Sequence, residues 1–286
     1  MIQDKVNKVL MDEEKNREPY QRSSGIYWPS QASAILADGS KVGMCHRQGF
    51  YQIKGVPATN FAALTNIRQR GTGKAIEEFE IGVAKKAGIF VQEQVPFMTQ
   101  YKNIFVRGKM DALYNIESNL KGVEYKTGSG YMFERTIWGT ETIGGSPKPT
   151  HLMQGMLYVD HFKDHKEFKF DELFLVYVDR GSGKDQEFSI KLKNGYPVIN
   201  DELDESINVT SIYERFVALD KYLVRNTLPP CDYNPLYTET ECNELYSEKK
   251  ITKSRYLTFC SIGFGQDFAC EYCNWANKCR TDRSIG

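Results

Sequence analysis

The sequence predicts an α/β fold built on a mixed central β-sheet flanked by helices, and three observations carry that prediction. Residues 104–114 and 122–127 read as two strands separated by a turn around Ser118-Asn119, the pattern of a hairpin. The run DELFLVYVDRGSG is almost continuously apolar before its turn, the composition of a buried strand. Around these runs, NFAALTNIRQRGTGKAIEEFEIGVAKKAG and PTHLMQGMLYVDHF carry apolar residues at helical period.

The chain has 286 residues, of which 41% are hydrophobic and 13% aromatic, enough for one sizeable domain with insertions or two small ones. Its formal charge of zero gives no global basic field of the kind many nucleic-acid binders carry, although a local groove is compatible with it. No apolar run reaches membrane-spanning length, and the polar opening MIQDKVNKVLMDEEKNREPY has no signal-peptide core. A soluble protein of the cytoplasm is expected, the host's cytoplasm if the chain is phage-encoded, with no membrane partner.

Taken in order, residues 1–17 suggest a short amphipathic helix with Val6, Val9 and Leu10 on one side. The stretch IYWPSQASAILADGSKVGMCHRQGFY opens with a Pro-Ser helix start and contains Cys45, followed by His46, Arg47, Phe50 and Tyr51. One or two helices then end at Gly88 as a C-cap, with Ile76, Phe79, Val83 and Ala87 as the core stripe. Glu77 falls at the margin of that stripe, Glu80 within it, and Glu78 points away. GIFVQEQVPFMTQ reads as a strand on which Glu93 shares a face with Val91 and Val95.

After the hairpin, YMFERTIWGTETIGGSPKP is loop-like; Tyr131, Phe133 and Trp138 suit either base stacking or covering the core. The next helix has Thr150 as expected N-cap and places Gln154 and Tyr158, four residues apart, on one face, with His151 one turn before Gln154. His161 and His165 read as surface residues. A strand at EFSIKLKNG and a long helix over 200–226, stopped before Pro229-Pro230, complete the periodic part. The polar segment 231–255 clusters Lys249, Lys250, Lys253 and Arg255, the usual look of a solvated face.

The chemistry concentrates at RGKMDALYNIESNLKGVEYKTGSG. Side chains alternate along a strand, so Glu124 and Lys126 share a face, and a hairpin lets Asp111 meet them. Two carboxylates and an ammonium at one point are costly unless a divalent cation neutralises the acids. Phosphodiester hydrolysis uses such a set: the carboxylates hold Mg²⁺ or Mn²⁺ and the lysine orients nucleophile or phosphate. The competing reading is a solvated hairpin with a cross-strand salt bridge.

Seven cysteines, an odd number, argue for metal ligation rather than a disulfide framework. Cys270, Cys273 and Cys279 form a C-x2-C-x5-C triplet, one thiol short of a four-coordinate site, with Cys45 or Cys260 as the fourth. Cys231 and Cys242 have no partner pattern and read as packing residues.

Gly108-Lys109-Met110-Asp111, Glu124-Tyr125-Lys126-Thr127 and the Gln154/Tyr158 pair together resemble the PD-(D/E)XK nuclease superfamily, in its RecB-like branch with GxxD, ExKT and QxxxY elements. The lone Cys45 followed by the triplet resembles the iron–sulphur members, the AddB subunits and CRISPR-associated exonucleases. The resemblance covers roughly residues 30–279. It implies a restriction-endonuclease-like core over 30–286, a helical extension over 1–29, and a cluster-binding segment at about 255–286. Helical N- and C-terminal parts would be joined by a [4Fe-4S] cluster on Cys45, Cys270, Cys273 and Cys279, with zinc as rival occupant. It further implies Asp111, Glu124 and Lys126 as catalytic residues. Glu77 would be an additional ligand in a GxxxE helix from Gly73, with Glu80 its competitor and Glu93 a supplement to the site. Gln154 and Tyr158, with Tyr131, would contact DNA. The function implied is exonuclease action on single-stranded DNA ends, in company with a helicase, recombination or CRISPR proteins, and as a homo-oligomer. The rivals are a silent DNA-binding or scaffold subunit of a helicase–nuclease and a structure-specific endonuclease.

Overall fold

The computed structural model describes residues 2–16 and 23–283. In chain order its elements are α1 (Ile2–Lys15), β1 (Ile26–Tyr27), a 3-10 turn (Pro29–Gln31), β2 (Ser33–Ile35), β3 (Lys41–Gly43), α2 (His46–Ile53), α3 (Leu64–Lys86), β4 (Phe90–Tyr101), β5 (Ile104–Ile116) and β6 (Asn119–Gly128). Then follow α4 (Tyr131–Ile137), α5 (Pro149–Phe162), β7 (Leu173–Asp179), β8 (Asp185–Lys193), β9 (Tyr196–Ile199), β10 (Glu202–Leu203), α6 (Val209–Arg225), α7 (Glu239–Ser247), α8 (Lys253–Ile262), α9 (Phe268–Glu271) and α10 (Ala276–Arg283). They fall into two compact units. One comprises Ser23–Met44 and Thr65–Lys221, the other Met1–Arg22, Cys45–Leu64 and Tyr222–Gly286.

The first unit is the α/β body expected from the sequence. Its mixed sheet runs β1-β5-β6-β7-β8-β9-β10, with β4 on the other edge of β5. β5 and β6 are joined by a two-residue turn, Glu117-Ser118, with both residues at positive φ (51° and 68°), the primed geometry that matches strand twist. The β5–β6 ladder stops at Ala112–Val123, while the short parallel β1 takes the same edge of β5 at Phe105–Val106. Residues 107–111 therefore have no strand partner on that edge among the described residues. The chain then crosses through α4 and α5 to β7, which pairs with β6 in parallel over Gly122–Leu173 to Gly128–Asp179.

The apolar pattern of α5 makes it a fully covered helix: Leu152, Met153, Met156, Leu157, Val159 and Phe162 are buried, and Gln154 and Tyr158 are buried with them. The cap lies two residues earlier than Thr150. Lys148 holds the cap position and Pro149 takes N1, where its missing N–H costs nothing.

Helix α3 is one continuous helix despite its glycines, and Gly88 just beyond it has the left-handed φ of +76° expected of a C-cap residue. Its buried face is not the expected stripe, because Phe79 and Val83 are 66% and 44% exposed whereas Ile81 and Ala84 are buried. These two pack on Ala112, Tyr114 and Val123 of the sheet. Glu77, Ile81 and Ala84, spaced i, i+4, i+7, form the inward row. Gly73 belongs to the close approach, since a Cβ there would stand 2.9 Å from Thr127 Oγ1.

Three further expectations change. Pro29 starts only a 3-10 turn before the β2–β3 hairpin, and the helix near Cys45 follows that residue as α2. The loop-like stretch after β6 begins with helix α4, whose Phe133 is buried beside Gly128 and Trp138. The polar segment after Cys231 contains α7 and α8, capped by Thr238 and Thr252. Helix α1 buries no residue, and the expected helix ends at Met1 and Arg17 lie outside the described residues. No helix among the described residues is long and apolar enough to cross a membrane.

The second unit is knitted from distant segments by specific hydrogen bonds. Asp232 Oδ2 accepts from His46 N at 2.7 Å, and Pro229 O accepts from Arg47 Nε at 2.9 Å. Asn274 O accepts from Thr59 N and Asn60 N, and Trp275 Nε1 donates to Val56 O at 2.8 Å. Tyr51 OH reaches Asp282 Oδ2 at 2.5 Å.

Candidate active site

The gap on the edge of β5 is filled by side chains. Tyr158 OH donates to Lys109 O at 2.8 Å, and Asp111 N makes a long contact of 3.4 Å with Glu124 Oε2. Where β6 parts from β5, Tyr125 N donates to Asp111 Oδ2 at 2.9 Å, so the Asp111 carboxylate stands in for a ladder carbonyl. Gly108 makes room for this: a Cβ there would lie 3.0 Å from Pro29 Cδ and 3.9 Å from Tyr158 OH.

Glu124 is 3% exposed and lies at the centre. Its Oε1 accepts from Lys126 Nζ at 2.8 Å and Gln154 Nε2 at 2.6 Å; Gln154 Oε1 also accepts from Lys126 Nζ at 3.0 Å. Gln154 Nε2 reaches Tyr158 OH at 3.1 Å, and the Tyr158 ring meets Phe97 edge-on. A buried ion pair is weak support for stability, because desolvation offsets much of its attraction, so this knot is better read as positioning charged groups.

The electrostatics show which acids act on one another. Burial first, then the charge of Glu124, push the Asp111 carboxyl up to about 8, with Lys126 opposing and Glu77 adding to the rise. Burial and Glu124 likewise raise Glu77. Glu77, Asp111 and Glu124 thus share one field, and Lys126 is the counter-charge that opposes the rise of both Asp111 and Glu77. Glu80 belongs elsewhere: burial and then Asp185 raise it, and it adds to the rise of Tyr114 and Tyr125. Of the two acids proposed on α3, Glu77 is the one in the carboxylate group.

Two other residues stand apart. Glu93 turns to Lys85 Nζ, 2.8 Å away, on an exposed surface. The strand alternation breaks at Gln94, whose φ of +51° lies at the level of Asp111 between the Glu93–Ala112 and Val95–Met110 pairs. Gln94 Nε2 instead donates to Glu77 Oε1 at 3.2 Å, a contact that no pattern in the sequence marks. Tyr131 is 70% exposed and lines a cavity of about 310 Å³ with Arg135, Trp138, Asp179 and Lys184, outside the carboxylate group. His151 pairs with Tyr177 OH at 2.9 Å, and burial with the nearby Lys126 and Lys148 holds its pKa down to about 3. It is therefore a neutral imidazole at ordinary pH. His161 is half-buried against Phe97 and Phe162, and His165 packs on Phe162 and Phe168.

The cysteines gather in the other unit. Cys45 precedes α2, Cys270 lies on α9, Cys273 follows it, and Cys279 lies on α10. Cys45 and Cys231 both raise the pKa of Cys270 and Cys273, after the larger effect of burial, which with Cys273 brings Cys270 to about 12. Cys279 is held below its ordinary value, first by a hydrogen bond with Cys231, whose Sγ is 3.2 Å away, and also by Arg47 at 3.8 Å. Cys231, expected as a packing residue, thus stands among the thiols. Cys260, the alternative fourth ligand, is exposed and lines a cavity with the buried Cys242 and with Tyr256.

As the side chains stand, no three His, Cys, Asp or Glu groups among the described residues converge closely enough to hold a metal ion. The chemistry of both donor sets nevertheless suits one. The buried carboxylates have more negative charge than Lys126 offsets, and the thiols are grouped with none in a disulfide among the described residues.

No protein-family model matches the chain, and no curated protein matches it. A solved structure described as "Crystal structure of SSO0001" is similar over 85% of this chain and 92% of its own, at 15% identity and a TM-score of 0.43.

Proposed function

We propose that this chain is a Mg²⁺- or Mn²⁺-dependent deoxyribonuclease of the RecB-like PD-(D/E)XK type, acting as an exonuclease on single-stranded DNA ends. The observation that carries the reading is the group formed by Asp111, Glu124, Lys126, Gln154 and Tyr158 at the open edge of β5. Asp111 and Glu124, with Glu77, would hold the cation. A bound divalent cation supplies an activated water and neutralises charge developing on the phosphate.

The chain's own residues account for the rest. Lys126, 17% exposed at its side chain, offers an ammonium beside Glu124 that can orient an attacking water or a phosphate oxygen. Gln154 bridges Lys126 and Glu124 and fixes both. Tyr158, anchored on Lys109 O, braces Gln154 and the splayed strand. His151, being neutral, does not compete with Lys126 as a cation. In the other unit, Cys45, Cys270, Cys273 and Cys279 would hold the [4Fe-4S] cluster as a structural staple, zinc being the rival occupant.

Linear and circular single-stranded DNA of equal length, incubated with the anaerobically purified chain and Mn²⁺, test the exonuclease reading. Loss of the linear strand with the circle intact supports it. Cutting of the circle makes the enzyme an endonuclease, and no cutting of either removes the enzymatic reading.

A further inference from the structure

All seven thiols lie in the second unit, and five of them interact with one another as a group, whereas a metal site of this kind takes four. Cys270, Cys273 and Cys279 come from one short stretch, and two more stand beside them, Cys45 and Cys231. The segments that carry these last two are tied to each other. Residues flanking Cys231 are tied to residues just after Cys45: Pro229 O accepts from Arg47 Nε, and Asp232 Oδ2 accepts from His46 N. Both sulfurs belong to half-buried residues.

Cys231 is also inside the reach of whatever Cys279 binds. Its sulfur is 3.2 Å from Cys279 Sγ, shorter than the roughly 3.8 Å between thiolates on one tetrahedral zinc with bonds of about 2.3 Å. An atom bonded to Cys279 at that length lies no more than about 5.5 Å from Cys231 as it stands. Cys260 and Cys242 have no such placement, since they line a cavity of their own.

We infer that Cys231 is a metal-ligating thiol interchangeable with Cys45, so that the group bound by the Cys270, Cys273 and Cys279 triplet takes its fourth ligand from either. The inference rests on reading the thiols as a metal site and is independent of the nuclease chemistry. Its consequence is redundancy: losing either thiol leaves a complete set of four, and losing both leaves three.

The test is metal content of the full chain reconstituted anaerobically with Fe²⁺ and sulfide, read as iron and acid-labile sulfide per chain and as thiolate-to-iron absorption. Cys45→Ser and Cys231→Ser are each expected to stay within about twofold of wild type, and the double variant to fall by about tenfold or more. A Cys45→Ser protein without metal beside a full Cys231→Ser protein overturns the inference, as does the reverse. A wild type that takes up no iron overturns it together with the metal reading. A measurement that needs no variant, and so does not depend on one folding, alkylates the loaded wild type and maps the label by mass spectrometry. Label divided between Cys45 and Cys231 supports exchange, and label confined to one of them refutes it.

Discussion

Asp111 is the residue on which the electrostatics turn. Its raised pKa means that the folded state holds a proton that the unfolded chain, titrating near 4, has released, so stability falls as pH rises from about 4 to about 8. A divalent cation would reverse that cost. We expect the metal-free protein to lose thermal stability across this range and Mn²⁺ to raise the melting temperature more at pH 8 than at pH 5. In Asp111→Asn both effects should shrink, and an unchanged response in that variant would place the cation elsewhere. Asp111, Glu124 and Lys126 were legible in the sequence because strand alternation and one hairpin suffice to bring them together. Gln94 was not, because its contact with Glu77 follows from a left-handed residue inside a strand, which neither composition nor periodicity marks.

At the scale of elements, helix α3 decides which acid can join the site. The apolar residues suggested a stripe through Phe79 and Val83, but the packed row is Glu77, Ile81 and Ala84, about a third of a turn away. Periodicity alone misplaces the face because α3 carries apolar residues on more than one side, and the sheet surface of Ala112, Tyr114 and Val123 takes the row of Ile81 and Ala84. Ile81→Ala should therefore cost about 2–5 kcal/mol in chemical denaturation, whereas Phe79→Ala should stay within about 0.5 kcal/mol. Equal losses would mean that the face is wrongly assigned. Helix α5 is readable in its extent though not in its cap, since a nearly unbroken apolar run with Gln154 and Tyr158 inside it has only a covered position to occupy. Gly128 sets the entry to α4: a Cβ would fall 2.2 Å from the Phe133 ring. Gly128→Ala is expected to destabilise by about 1–3 kcal/mol through that overlap, measured by the same denaturation.

For the whole molecule, the division into two units separates the carboxylates from the thiols, and each set is assembled from residues far apart in sequence. A hairpin made the carboxylates readable, but the place of Cys231 depends on contacts between segments more than 180 residues apart, Arg47 with Pro229 and His46 with Asp232. If the thiols hold a structural metal group, stripping it should speed amide hydrogen exchange in Cys45–Leu64 and in the chain beyond Tyr222. The β5–β6 ladder should keep its protection, and a loss of protection confined to that ladder would contradict the assignment. Whether the open edge of β5 is a catalytic site is decided by end-labelled single-stranded DNA with Mn²⁺, comparing the wild type with Lys126→Ala at equal folded content. Progressive shortening by the wild type is expected, with a rate about 10²–10³-fold lower in the variant, and label position giving the polarity. Equal rates in the two proteins, or no shortening by a folded, metal-loaded wild type, would contradict a catalytic role for that edge.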